Sequence, residues 1–333
     1  MTNKNIGLDI GTMNLVVAQP DEENKITTSS LRNLFLELDS DTFNMKNMEN
    51  ISHAIIDNKI YILSEDAFSF ANMFNLNTSR PMSKGMISPS EIDAIDVLSI
   101  LVKLLIGTVD KKETGICCFS VPANPVDLER NIIFHESVFE RIITQLGYKA
   151  VSLNEAIAII YAECDDTDFT GLGISFGAGM TNVGMAFKSV PILSFSVARG
   201  GDWIDENAAT STGSVSNRIT LIKEKEDFDI NNFSIGNKKE KRVREAIGHY
   251  YNNLIQYTTK NILNQLNKLD VKFPDKIPVI VSGGTSKAAG FLDQVKKILA
   301  DYEFPFEISE IRHASNPLTA VAEGCLIRSF REE

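Results

Sequence analysis

The sequence predicts an α/β fold, on three observations. Apolar runs and helical-period segments alternate in the order strand, helix, strand, helix between Gly115 and Glu163. A strand–glycine turn–strand pattern over Ile6–Val17 returns at Leu172–Ala186. The length of 333 residues, 43% hydrophobic and 23% charged, suits two domains or lobes, each able to bury a core.

The first hairpin begins almost at the N-terminus. Ile6, Leu8 and Ile10 make a buried-strand run, Gly11 interrupts it, and Val16, Val17 and Ala18 resume it. Gly11 has no Cβ, so a backbone amide can approach an anion there. Turn amides aimed into one concavity form an anion nest. Thr12, Met13 and Asn14 complete that turn. Asp9 stands just before it, where a carboxylate repels phosphate unless a cation lies between. Read alone, the hairpin is more readily an ordinary one with a turn glycine.

Asp21–Lys25 is a polar turn. From 31 to 80 only Lys59–Leu63 alternates like a strand, with Asp57-Asn58 able to turn a hairpin from Ala54–Ile56. Arg80–Ile87 is a loop. Ser90 is placed as the N-cap of a helix whose apolar face is Ile92, Ile95, Leu98, Leu101 and Leu105. Gly115–Val121 is a strand ended by Pro122. Asp127 is expected to start an amphipathic helix to about Gly147, through Ile132, Ile133, Val138, Ile142 and Leu146. Ala150–Leu153 is a short strand and Asn154–Glu163 a helix. Glu155 has two readings: partner of Ser152 in a capping box, or a carboxylate that orients water.

In the second hairpin Ile174-Ser175-Phe176-Gly177 corresponds to Leu8-Asp9-Ile10-Gly11. Two such hairpins, one per half, are expected to face each other across a cleft and hold a nucleotide. Residues 223–245 carry mixed charge, ending in Lys238-Lys239-Glu240-Lys241-Arg242; the run reads as a solvated face or a subunit contact. Val243–Leu269 reads as a helix, Ile277–Val281 as a buried strand broken by Gly283-Gly284, and Ser286–Ala300 as a helix. Asn316 suits an N-cap and Pro317 the first helical position.

Composition excludes several classes. A net charge of −11 argues against a nucleic-acid binder. Met1–Asn5 has no signal-peptide pattern, no apolar run reaches the length of a membrane span, and no basic amphipathic helix opens the chain, so no direct membrane anchor is expected. Cys117, Cys118, Cys164 and Cys325 lack metal or redox spacing and read as buried thiols of a cytoplasmic protein.

Together these motifs resemble the actin-like ATPase superfamily, which includes actin, the MreB and MamK filament proteins, sugar kinases and the heat-shock chaperone ATPase domain. Ile6–Val17 resembles its phosphate 1 motif, Ile174–Ala186 phosphate 2, Asn154–Ala158 the connecting helix, and Val281–Lys287 the adenosine motif. Arg80–Ile87, Ala198–Glu206 and Asn316–Gly324 are similar to segments of the MreB/MamK branch. Sugar kinases are usually longer, and no sugar-binding acid is evident.

The resemblance implies a two-lobed actin-like ATPase fold, each lobe built on a ribonuclease-H-like mixed sheet with flanking helices. It places lobe I at 1–150 and 316–333, with an insertion near 31–80, and lobe II at 151–315, with an insertion near 206–245. It implies ATP or ADP with Mg2+ as cofactors. By the same resemblance Asp9 organises the metal and Glu155 aligns water. Gly11, Thr12, Met13 and Asn14 hold phosphates from one side, and Gly177, Ala178, Gly179, Met180 and Thr181 from the other. Gly201, Gly283, Gly284, Thr285 and Lys287 pack against the nucleoside. Lys223 either lies near the adenosine or is a solvated surface lysine.

The chain departs from the family at phosphate 2. Ser175 stands where Asp is usual, Ala178 where Gly is usual, and Met180 where Thr is usual. Ser175 brings no negative charge, so nucleotide binding is better supported than fast hydrolysis. The resemblance implies self-association into filaments. A non-polymerising chaperone-like or reactivase-like ATPase acting on a protein partner, and a catalytically weak nucleotide-binding scaffold, are the alternatives.

Overall fold

The computed structural model describes residues 4–39, 51–74, 76–109, 115–269, 273 and 276–332. Residues 40–50 and 75 of the expected 31–80 insertion, and Met1–Asn3 of the segment read for a signal peptide, lie outside the described residues. The chain divides into two compact units: Met1–Val121, Asn131–Leu153 and Cys325–Glu333 form the first, Pro122–Arg130 and Asn154–Gly324 the second.

In the first unit β1 (Ile6–Ile10), β2 (Asn14–Pro20), β3 (Ile26–Arg32), β9 (Ile116–Val121) and β10 (Lys149–Asn154) make a mixed sheet of order β10-β9-β1-β2-β3. β1 runs antiparallel to β2 and parallel to β9. The apolar positions of β1 and β9 meet α2 (Ala94–Ile106) and α3 (Ile133–Gln145) in one core, through Leu8, Ile10, Phe119, Leu98, Leu101 and Phe139. A smaller sheet, β4 (Phe35–Asp39), β6 (Lys59–Leu63) and β5 (His53–Ile56), packs on α1 (Ser64–Phe74). Its β5–β6 turn is the expected Asp57-Asn58, with φ of +47° and +64°. Arg80–Ile87 contains a minimal hairpin, β7 (Met82–Ser83) and β8 (Met86–Ile87).

Two expected helix starts move. α2 begins at Ala94, and the Ser90 hydroxyl shares a hydrogen bond with Ser88 instead of capping it. Ile92 therefore falls outside the helix and is 97% exposed. Asp127 does not start α3: its carboxylate accepts from Ala198 N at 2.8 Å and from the Tyr257 hydroxyl at 3.1 Å, so a tertiary contact takes the group meant for a cap. The first turn of α3 is served by Asn131, whose side chain accepts from Ile133 N. β3 was not foreseen: Ile-Thr-Thr-Ser-Ser-Leu-Arg has a polar centre, Thr27–Ser30, with no alternation of apolar residues, as an exposed edge strand can.

α3 carries His135, 2% exposed, with its two ring nitrogens lacking partners among the described residues and its ring edge-on to Phe139 at 4.9 Å. Burial pushes its pKa down from 6.5 to about 4. The folded state therefore prefers neutral His135. Its stability contribution is fully present above 6.5 and is lost as pH falls from 6.5 towards 4. That loss is on the order of 3 kcal/mol. His135→Leu is expected to flatten the stability profile across this window, as read by urea unfolding at several pH values; an unchanged slope would exclude His135 as its source.

The second unit repeats the sheet plan. β11 (Gly171–Phe176), β12 (Thr181–Phe187), β13 (Val190–Val197), β14 (Lys276–Ser282) and β15 (Glu307–His313) have the order β13-β12-β11-β14-β15, with β11–β12–β13 antiparallel and β11–β14–β15 parallel. Around it lie α4 (Glu155–Glu163), α5 (Gly201–Thr212), α6 (Ser216–Lys223), α7 (Lys238–Leu266) and α8 (Phe291–Ala300); α9 (Ala320–Ser329) closes the chain. Phe176, Tyr251 and Phe291 stack edge-on at the centre of this core.

Here too boundaries shift. α7 starts at Lys238, because Asn237 accepts from Lys239 N and Glu240 N and so caps the charged run into the helix. Arg244 on its second turn is wholly buried, bonded to Asp227 and Glu240. α8 starts at Phe291, since residues 284–287 form a 3-10 turn and Gly290 stands at φ +79°. Asn316 caps a turn through Leu318 N, and regular helix follows only from Ala320. β13 and β15 were not foreseen. The four cysteines are free and buried, and among the described residues no helix is long and apolar enough to cross a membrane.

Candidate functional site

The two glycine hairpins are the same object built twice. In the first, Ile10 pairs with Leu15, Asp9 with Val16, Leu8 with Val17 and Gly7 with Ala18. In the second, Phe176 pairs with Thr181, Ser175 with Asn182, Ile174 with Val183 and Gly173 with Gly184. Gly11 N donates to Asn14 O at 3.0 Å, and Gly177 N donates to Met180 O at 3.0 Å. A Cβ on Gly11 would lie 2.6 Å from Asn14 O and one on Gly177 2.9 Å from Met180 O, so both turns require glycine.

Each turn is braced inside its own unit. In the first, Asn33 donates from its side chain to Gly11 O and from its backbone to Met13 O, both at 2.9 Å. The Thr12 hydroxyl accepts from Gly85 N at 3.1 Å, which seats the Arg80–Ile87 hairpin on the turn. In the second, Gly177 O accepts from Gly201 N at 3.0 Å and from the Thr285 hydroxyl at 2.8 Å, while Ala178 O accepts from Asp202 N at 2.9 Å. Met180 and Thr181 are buried, and the Thr181 hydroxyl donates to Arg199 O at 2.9 Å.

Asp9 lies beside Ser120 of the parallel strand β9. The Ser120 hydroxyl donates to Asp9 Oδ1 at 2.9 Å and accepts from Ile10 N at 2.9 Å. Burial pushes the Asp9 carboxyl up to about 6, and the Ser120 hydrogen bond offsets only part of this. A cation would compensate that charge. Among the described residues no group of three or more His, Cys, Asp or Glu could hold a metal. A cation at Asp9 would therefore draw most of its ligands from water or from a bound anion, as Mg2+ commonly does. At the matching place in the second hairpin Ser175 is buried and pairs with Ser282 of β14, whose hydroxyl donates to Pro317 O.

Glu155 is the first residue of α4. The cap is Asn154, whose side chain accepts from Ala156 N and Ile157 N; Ser152 instead donates to Glu136 at 2.5 Å. The capping-box reading of Ser152 and Glu155 is therefore corrected: Ser152 lies within β10, and Asn154 at the strand's end caps the helix. Glu155 Oε2 accepts from Asn182 Nδ2 at 2.9 Å. Asn182 is fully buried and also accepts from Ala123 N at 2.9 Å, so its amide is fixed at both ends. Sequence reasoning missed Asn182, Asn33 and Ser120. The signal available for Asn182 was its place opposite Ser175 in the repeated hairpin.

The nucleoside candidates gather in the second unit. Lys223 is 12% exposed in its side chain and lies 2.8 Å from the carboxylate of Asp205, itself buried and accepting from Thr220. It also reaches Gly201 O at 3.2 Å. The surface-lysine alternative is thereby corrected. A Cβ on Gly201 would meet the Thr285 hydroxyl at 2.8 Å and Lys223 Nζ at 3.3 Å. Gly283 has φ +91° and its Cβ would fall 2.3 Å from Phe176 O. Gly284 and Lys287 are exposed on the 3-10 turn beside it.

A family model described as Volactin matches residues 4–329. Among curated proteins none matches. Solved structures do. The MamK double helical filament superposes with a TM-score of 0.68 at 15% identity, covering 98% of each chain. MreB5 of Spiroplasma citri bound to ADP gives 0.67 at 14% identity, over 99% of this chain and 97% of that one. The ethanolamine utilization protein EutJ from Carboxydothermus hydrogenoformans gives 0.54 at 17% identity, over 97% and 89%. These likenesses establish an actin-like fold.

Proposed function

The chain belongs to the Volactin family, and from that premise we propose that it binds ATP or ADP with Mg2+ and assembles into nucleotide-controlled filaments, with slow hydrolysis. The observation that carries nucleotide binding is the repeated glycine hairpin, with one register and one turn hydrogen bond in both units. Two structurally similar proteins are described as a filament and as ADP-bound, which supports assembly and nucleotide as the reading for this chain.

In this reading the main-chain groups around Gly11–Asn14 and Gly177–Thr181 bind the phosphates. Bound magnesium would supply positive charge to them, as phosphoryl transfer requires. Asp9 would hold it, with Ser120 keeping the carboxylate in one orientation. Glu155 would orient water, and Asn182 would hold Glu155. Lys223, Gly201, Gly283, Gly284, Thr285 and Lys287 would take the nucleoside.

Calorimetry with ATP and ADP, with and without magnesium, tests the binding. Pelleting and electron microscopy with ATP, ADP or no nucleotide test assembly; a protein that stays monomeric at high concentration with ATP and magnesium is no filament former. The weak-scaffold reading rests on Ser175. Ser175→Asp is expected to raise phosphate release by about 10²-fold, the lower end of what a placed catalytic group provides. Unchanged turnover would show that Ser175 does not limit hydrolysis.

A further inference from the structure

A cleft in the second unit, of about 600 Å³, is lined by none of the residues assigned above to nucleotide. That volume suits a small organic ligand. Its walls are the end of α5, the loop around Ile230–Phe233, the solvent side of α7 and one face of α8.

Its walls are held in place by contacts that do not need a ligand. Gly248 interrupts the middle of α7, where glycine costs a helix about 1 kcal/mol. A Cβ there would lie 2.4 Å from Ile230 O and 2.5 Å from the Phe233 ring, so the glycine is what lets the loop rest on the helix. Ile230 N donates to Ala289 O at 3.1 Å, tying the same loop to the start of α8. Gln294 Nε2 donates to Asn252 Oδ1 at 2.9 Å, joining α8 to α7. On the opposite wall the Ser211 and Tyr250 hydroxyls share a hydrogen bond of 2.6 Å.

The lining concentrates basic groups in a chain of net charge −11. Arg242, His249 and Lys297 line the cleft against a single carboxylate, Glu245. Arg242 reaches Ser211 O at 3.4 Å, the outer limit of a hydrogen bond, and its planar fork suits an oxyanion. Phe233 and Ile230 add apolar wall, which an inorganic ion would not use. We propose that this cleft binds a small organic phosphate, its dianion on Arg242 and Lys297 and its body against Phe233. A volume of about 600 Å³ suits a small molecule, and an acidic peptide is the competing occupant that the test below distinguishes.

Phenyl phosphate is the probe, titrated by calorimetry into the full chain with excess ADP and magnesium, and again without them. Saturable binding is expected in both, and Arg242→Ala with Lys297→Ala is expected to weaken it at least about tenfold. Benzoate, with one negative charge, is expected to bind more weakly. Glu245→Gln is expected to tighten phenyl phosphate by removing a like charge. Arg242→Lys with Lys297→Arg keeps the charge and is expected to retain most of the binding, which separates ligand contact from misfolding. The assignment falls if phenyl phosphate shows no binding at about 10 mM. It also falls if ADP displaces the probe, if the alanine pair leaves binding unchanged, or if a hexaglutamate peptide binds where phenyl phosphate does not. Failure of ATP to bind the hairpins leaves this test intact.

Discussion

Asp9→Ala is expected to lower magnesium-dependent affinity for ATP by about 10- to 100-fold, the range seen when a group that orients a metal is lost. The physical case rests on the isolation of this carboxylate. Ser120 is its hydrogen-bond donor, and burial holds its pKa near 6. Such a group gains most when a cation arrives. The same shift fixes a pH dependence. A raised folded pKa means that the empty folded state prefers the protonated acid, so the associated stability is present at low pH and is lost as pH rises from 3.8 through about 6. The cation must displace that proton. Magnesium-dependent affinity in the parent protein should therefore rise as pH climbs through about 6 and level off above it. Calorimetry with magnesium and with a chelator, at several pH values, reads both effects. An Asp9→Ala variant with unaltered affinity, or one that keeps the pH dependence, would remove Asp9 from the metal site.

Gly324→Ala is expected to destabilise the protein by about 1–3 kcal/mol through overpacking. α4, which carries Glu155, is approached by backbone on more than one side. A Cβ on Gly324 of α9 would fall 1.8 Å from Ala158 O, and one on Gly173 of β11 2.2 Å from Ala156 O. A Cβ on Gly184 of β12 would come 2.9 Å from Ile157 Cδ1. The first two contacts are to backbone, so relief requires α4 itself to move. The thermal midpoint should fall by several degrees. Gly284→Ala is the control: its new Cβ would meet only Leu318, at 3.5 Å, and should change stability of the nucleotide-free protein by less than about 0.5 kcal/mol. Equal midpoints for the two variants would refute the packing argument. If α4 shifts, the Glu155–Asn182 hydrogen bond of 2.9 Å shifts with it, and phosphate release by Gly324→Ala should fall further than loss of folded protein explains.

Local chemistry determined much of this protein. A glycine turn between two apolar runs is a short-range pattern, and its repetition is visible by aligning the chain with itself; hence both hairpins, β9, β14 and the α/β order were legible. Asp57-Asn58 made a legible turn because those residue types tolerate positive φ. Tertiary structure decided what depends on competition for a group. Ser90, Ser152 and Asp127 each look like helix caps, but each found a partner elsewhere, and the helices began where Asn131, Asn154 or a bare turn served the first amides. The polar strand β3 exists because β2 offers it a ladder of hydrogen bonds, which no property of Thr27–Ser30 announces. Asn182 and Ser120 gain their roles from residues distant in sequence, Glu155 and Asp9. The sequence alone determined which residues form the two glycine turns. Only the tertiary structure decided which buried side chains hold them, because hydrogen-bond partners far apart along the chain leave no periodic trace in it.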